Sequence, residues 1–174
     1  MADRVAALGE RICSVAIGEL VVSSSPEDVL VAYGLGSCVV VALYDSVAHL
    51  GGMIHALLPT MPQNKNPALP EMPARFVEQG VPLLLDRLTR RGAARARLQG
   101  YLCGGARILT APGFPDWLAV GERNVQAAEQ ALRVAGIPLR GQATRGTRGR
   151  TVKLYIADGR ITVRTLGTEE EHLA

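Results

Sequence analysis

GLGSCVVVALYD, residues 34–45, decides how the rest of this chain is read. Its second half, Val39–Tyr44, is an apolar, β-branched run of strand length. Its first half is a glycine-rich bend that joins this run to an earlier one, Asp28–Tyr33. Glu19–Val22, Asp28–Tyr33, Ser37–Tyr44 and Gly52–Leu57 all share that character and are bounded by Gly, Ser, Pro or Asp, which predicts short strands. Pro59–Pro73 holds five prolines around Gln63, Asn64, Lys65 and Asn66, which predicts an exposed loop, long enough to serve as a lid or binding rim. Arg75–Arg91 then places Phe76, Val77, Val81, Leu84, Leu85 and Leu88 on one helical face. Gly80 and Pro82 weaken its first half, so the start is placed anywhere up to Pro82.

Further on, Leu98–Cys103 reads as a strand running into Gly104-Gly105. Gly121–Ala135 reads as a second helix with Val125, Ala128, Leu132 and Ala135 aligned and Gly136 as its stop. Ile137–Ala143 is a strand, and Val152, Leu154 and Ile156 alternate up to Asp158-Gly159 before Ile161, Val163 and Thr165 do the same. That spacing predicts a hairpin with a two-residue turn. Runs of strands around two helices predict an α+β domain spanning 1–174, with mixed sheets and helices packed outside them.

Composition narrows the function classes. At 174 residues, 48% hydrophobic and 20% charged, the chain can bury a core. No apolar stretch has membrane-spanning length, and the N-terminus lacks a basic-then-apolar leader. Cys13, Cys38 and Cys103 are odd in number and too few for a disulfide scaffold, which favours free thiols and a cytoplasmic location. The net charge of +3 is uneven, with Arg140, Arg145, Arg148, Arg150, Lys153, Arg160 and Arg164 preceding an acidic tail at Glu169–Glu171. Aromatics for base stacking make up only 4%, so nucleic acid is not the expected partner. No pair of Cys or His has metal-ligand spacing, and Gly34-x-Gly36 leads into a strand where a dinucleotide loop would lead into a helix.

The remaining chemistry centres on Cys38, at the glycine bend. Glycines allow close backbone approach, and backbone N–H groups at such a bend can stabilise an oxyanion. A thiol needs a base to become nucleophilic. His172 lies in the acidic tail and His49 in the turn Ser46–Leu50, whereas His55 follows Gly51-Gly52-Met53-Ile54 in a strand and is best placed to face Cys38. From the residues alone, a cysteine in such Val/Leu surroundings is more often a small core hydrophobe than a nucleophile, and a histidine between apolar residues is usually a hydrogen-bonded core residue. Cys13 and Cys103 read as ordinary core or surface thiols.

GLGSCVVVALYD at 34–45 and GGMIHALLP at 51–59 together resemble the CheD family, the chemoreceptor glutamine deamidases of bacterial chemotaxis. The resemblance continues through Arg-Arg-Gly-Ala at 90–93, YLCGGARIL at 101–109, VGERN at 120–124 and GTRGRTVKLY at 146–155. It implies a cysteine hydrolase with a layered α/β/β/α fold like that of the cytotoxic necrotizing factor toxins. In the family a Cys, a His and a Thr cooperate. Cys38 and His55 match the first two, and the threonine position is Ala32, which leaves that position only a backbone role: its own or a neighbouring carbonyl holding His55.

The chemistry so implied is attack of Cys38 on a chemoreceptor glutamine side chain, with His55 as base, the Ser37 and Cys38 N–H groups as oxyanion donors, and no metal or organic cofactor. Methyl-accepting chemoreceptors are the implied protein substrate and a CheC phosphatase the implied further partner, with no direct membrane insertion. The alternative is a regulatory adaptor, weak or inactive as an enzyme, that binds CheC.

Overall fold

The computed structural model describes residues 9–62, 72–108 and 119–173. The apolar run at the centre becomes β4 (Val39–Asp45), all seven residues of which are buried. It is flanked on both sides by antiparallel partners, β5 (Leu50–Ala56) and β6 (Leu98–Gly104). With β2 (Leu20–Ser23) and β7 (Leu139–Thr144) at its edges, this sheet has the order β2-β5-β4-β6-β7. The second sheet joins β1 (Arg11–Ser14), β3 (Asp28–Leu35), β8 (Arg150–Tyr155), β9 (Ile161–Thr165) and β10 (Glu170–His172), in the order β1-β3-β8-β9-β10.

Side-chain alternation along β4 divides the core in two. Val39, Val41 and Leu43 pack with Val81, Leu84 and Leu88 of α1 (Val77–Arg90) and with Val125, Ala128 and Leu132 of α2 (Val120–Ala135). Val40, Ala42 and Tyr44 face the other way, against Leu30, Ala32, Val152, Leu154, Ile161 and Val163 of the second sheet. Burial on both faces explains why β4 reads as a continuous apolar run without polar alternation.

The α+β class and mixed sheets agree with the sequence reading, but the layering does not. Among the described residues both helices cover the same sheet, so the order is α/β/β, where four layers α/β/β/α were expected. None of the described helices is long and apolar enough to cross a membrane.

Several boundaries also shift. α1 starts at Val77 and carries Pro82 in its second turn. Its start is fixed by a parallel bridge between Leu58 and Phe76 and by the Val77 N–H bonding the Leu58 carbonyl at 2.9 Å. Of the proline-rich segment, residues 63–71 lie outside the described residues, and Pro73–Arg75 forms a 3-10 turn. The β8–β9 hairpin exists, but its connection is residues 156–160 and not two residues. The Tyr155 N–H bonds the Arg160 carbonyl and the Gly159 N–H bonds the Tyr155 carbonyl, both at 2.9 Å, so a turn wider than two residues closes the hairpin. The acidic tail is strand β10: Glu170 pairs with Lys153 at 2.9 Å and accepts from the Thr162 hydroxyl.

Candidate active site

Cys38 sits immediately before β4, at the end of the bend 36–37. The carbonyls of this bend are held by partners distant in sequence. The Gly36 carbonyl accepts from the Ala106 N–H at 2.8 Å, and the Cys38 carbonyl accepts from the Gly105 N–H at 2.8 Å. The Ser37 carbonyl accepts from Asn124 Nδ2 at 2.9 Å. Gly104, at φ +106°, is required here, because a Cβ would collide with the Cys38 carbonyl oxygen.

β4 and β5 bring the histidine alongside. Val40 pairs with His55 and Val39 with Ala56, so the position opposite Cys38 is Leu57 and His55 lies one diagonal step away. Cys38 and Val40 share the inter-sheet face, and His55 lies on that face with Met53, since Ile54 and Ala56 face the helices. Diagonal neighbours on one face come within about 7–8 Å between backbones, which side chains can bridge. Cys38 is 7% exposed and His55 is 3% exposed.

The loop between β1 and β2 wraps His55. Its backbone N–H donates to the Glu19 carbonyl at 3.1 Å and its carbonyl accepts from the Gly18 N–H at 2.7 Å. Its Nδ1 lies 3.0 Å from the Val15 carbonyl oxygen. A carbonyl can only accept, so Nδ1 carries the ring hydrogen and Nε2 presents a lone pair. Nε2 is buried and finds no hydrogen-bond partner among the described residues. The carbonyl that orients the ring therefore belongs to Val15. The expected source was the carbonyl of Ala32 or of a neighbour in its strand; Ala32 is instead fully buried on β3 opposite Val152, its methyl group in the inter-sheet core. The reason is topological, because β1 runs parallel to β3 and the Val15 N–H caps the Val31 carbonyl at 2.8 Å, extending that ladder to the ring.

Burial governs the resting charges. It pushes the Cys38 thiol up, only partly offset by the residue's own backbone N–H. Burial likewise holds the His55 imidazolium below its ordinary value, against the opposing pull of the Val15 carbonyl and the Glu19 charge. Burial thus favours the neutral form of each group, thiol at Cys38 and imidazole at His55.

The other candidates are placed elsewhere. His49, at φ 47°, is in the β4–β5 turn at the opposite end of β4. His172 is exposed on β10. Cys13 is on edge strand β1, and the buried Cys103 faces Val40 from β6, where burial pushes its thiol up to about 12. Sequence reasoning missed Val15, whose role uses only backbone. It also missed Asn124, although an asparagine on the apolar face of Val125, Ala128 and Leu132 is a legible signal.

These features define a class: a two-sheet α+β protein with a buried Cys–His pair between its sheets, at the mouth of a glycine bend. Comparison with known proteins makes the assignment specific. The family model described as CheD chemotactic sensory transduction matches residues 57–165. A protein of Symbiobacterium thermophilum named "Probable chemoreceptor glutamine deamidase CheD" is 40% identical over 163 residues, covering 94% of this chain and 98% of that protein. "Probable chemoreceptor glutamine deamidase CheD 2" of Geobacter metallireducens is 42% identical over 156 residues, covering 90% of this chain and 94% of its own. The chain belongs to the CheD family. Among solved structures, the Bacillus licheniformis hypothetical protein YfiH is similar at a TM-score of 0.45 and 17% identity, over 80% of this chain and 59% of that one.

Proposed function

We propose that this protein deamidates glutamine side chains of chemoreceptors in chemotaxis, with Cys38 as nucleophile and His55 as its base. The observation that carries the reading is the His55 ring, fixed by the Val15 carbonyl so that Nε2 is the free base on the face it shares with Cys38. Relatives that cover nearly the whole chain and are named chemoreceptor glutamine deamidases support it.

In this mechanism His55 Nε2 takes the Cys38 thiol proton as sulfur bonds to the side-chain amide carbon. The carbonyl oxygen becomes an oxyanion, and the Ser37 and Cys38 N–H groups are its donors. Collapse of the adduct breaks the C–N bond, and the imidazolium proton leaves with the nitrogen as ammonia. Water then gives a proton to Nε2 and attacks the thioester. The C–S bond breaks, sulfur recovers the proton, and glutamate is released. Glutamine and water enter; glutamate and ammonia leave.

The reaction takes place in the cytoplasm, with a CheC phosphatase as a second protein partner. The adaptor-only reading drew its force from alanine at position 32, and the Val15 carbonyl supplies the acceptor that a threonine hydroxyl would have offered. The test is mass-spectrometric detection of glutamine-to-glutamate conversion in a purified chemoreceptor cytoplasmic fragment. Cys38→Ala and His55→Ala are expected to abolish conversion while the fold persists, and Cys13→Ala and Cys103→Ala to retain it. Conversion by folded Cys38→Ala would overturn the assignment.

A further inference from the structure

Asn124 is fully buried on the first turns of α2, and both of its amide hydrogens are committed. Nδ2 lies 2.9 Å from the Ser37 carbonyl and 2.9 Å from the Leu57 carbonyl. Its Oδ1 is buried without a hydrogen-bond partner among the described residues. Ser37 directly precedes the nucleophile and Leu57 lies two residues past His55. One side chain thus ties together the two segments that carry the catalytic pair.

The direction of that tie matters. A trans peptide is planar, with its N–H pointing opposite to its C=O. Asn124 draws the Ser37 carbonyl toward the helix layer, which lies on the far side of the sheet from Cys38's side chain. The N–H of the same peptide unit, that of Cys38, is therefore turned to the inter-sheet side, where the sulfur lies. Neither the Ser37 nor the Cys38 N–H donates to a backbone carbonyl of the described residues.

We infer that Asn124 is a positioning residue for the deamidation: it aims the Cys38 N–H at the oxyanion and keeps the nucleophile bend in register with the end of β5. The inference rests on the proposed roles of Cys38 and His55. An oxyanion develops during attack on an amide but not during displacement of iodide from iodoacetamide, so the two reactions at one sulfur separate aiming from general damage.

The experiment compares the native chain with Asn124→Asp, which keeps the shape and loses the donors, and with Asn124→Ala. In variants that are folded by circular dichroism, kcat on the receptor fragment should fall by about 10²-fold with KM within about twofold. The rate of Cys38 alkylation and its pH profile should stay within about twofold of native, since that reaction needs no oxyanion donor. Unchanged kcat, or alkylation falling in step with kcat, would overturn the inference. Should neither variant fold, the native protein decides: a peptide carrying an aldehyde in place of the glutamine amide adds to Cys38 and places an oxygen at the oxyanion position. The Cys38 amide proton should then move downfield by NMR in the aldehyde adduct and not in the alkylated protein, and absence of that shift overturns the inference. Cys38→Ala run alongside separates the two levels, because conversion by that variant sinks the nucleophile assignment, whereas native kcat in an Asn124 variant sinks only the aiming role.

Discussion

His55 has one ring hydrogen to donate, and the Val15 carbonyl already receives it. A hydroxyl introduced at position 32 therefore has no second ring hydrogen to accept. It would also enter a fully buried site facing the second core, where added atoms cost about 1–3 kcal/mol. Ala32→Thr is accordingly expected to leave kcat within about twofold, far short of the 10²–10⁴ that a newly oriented general base could supply, and to lower the melting temperature. Steady-state kinetics and a thermal melt check both, and a tenfold or greater rise in kcat would show that Val15 does not orient the ring. The placing of His55 on a strand neighbouring Cys38 was legible in the sequence from the glycine bend and the strand-like run that holds His55, whereas a role for either came only from the family resemblance. Val15 was not legible, because a backbone carbonyl leaves no mark on the identity of its residue.

The elements nearest the site depend on backbone-to-backbone approach more than on helix propensity. Gly121, in the first turn of α2, would carry a Cβ 2.7 Å from the Gly105 carbonyl oxygen and 3.0 Å from that of Ala106. Alanine gains about 1 kcal/mol over glycine as a helix former, but backbone atoms on a strand end cannot yield as a flexible side chain would. The steric cost of about 1–3 kcal/mol therefore wins. Gly121→Ala should be less stable by denaturant unfolding and should also lose activity, because it pushes α2 away from the loop that holds the Gly36 and Cys38 carbonyls. A more stable variant with native kcat would refute that reasoning. The same contrast separates what could be read early from what could not. α2 was read to within a residue because Gly136 ends it with φ 67°, and most interior strands declared themselves by apolar runs. β10 was read as a tail because its stability comes from Lys153 and Thr162, residues seventeen and eight positions away. The start of α1 was blurred for a similar reason, since it is set by the bridge to Leu58 and not by a capping residue.

On the scale of the whole molecule, a buried carboxylate and the proposed nucleophile stand at opposite ends of β4. Cys38 precedes its first residue, and Asp45 ends it, about 23 Å away at strand rise. The Asp45 carboxylate is fully buried, bonded by Arg97 at 2.9 Å and by the N–H groups of Ala94, Val47 and Ala48 at 2.8, 3.0 and 3.2 Å. Burial alone would raise its pKa; Arg97 and the three N–H groups together hold it well below the usual carboxylate range. A carboxylate depressed in the folded state contributes stability that is fully present above its unfolded value of 3.8 and is lost as pH falls through the folded one. His55 runs on a separate scale: its folded value lies below the ordinary 6.5, so the proposed base stays neutral into mildly acidic solution. Asp45→Asn removes the charge that part-exposed Arg97 and three N–H groups bond, at a cost of about 1–3 kcal/mol for the buried donors left unsatisfied, and at roughly 2–4 °C per kcal/mol for a chain of this size the melting temperature should drop clearly. The acid midpoint of kcat/KM, set by His55, should remain below 6.5 and unchanged in Asp45→Asn when both proteins are assayed at a temperature where the variant is folded. Thermal melts and a pH–rate profile measured side by side decide this, and a midpoint that moves with the Asp45 substitution would mean that the two ends of β4 are not independent.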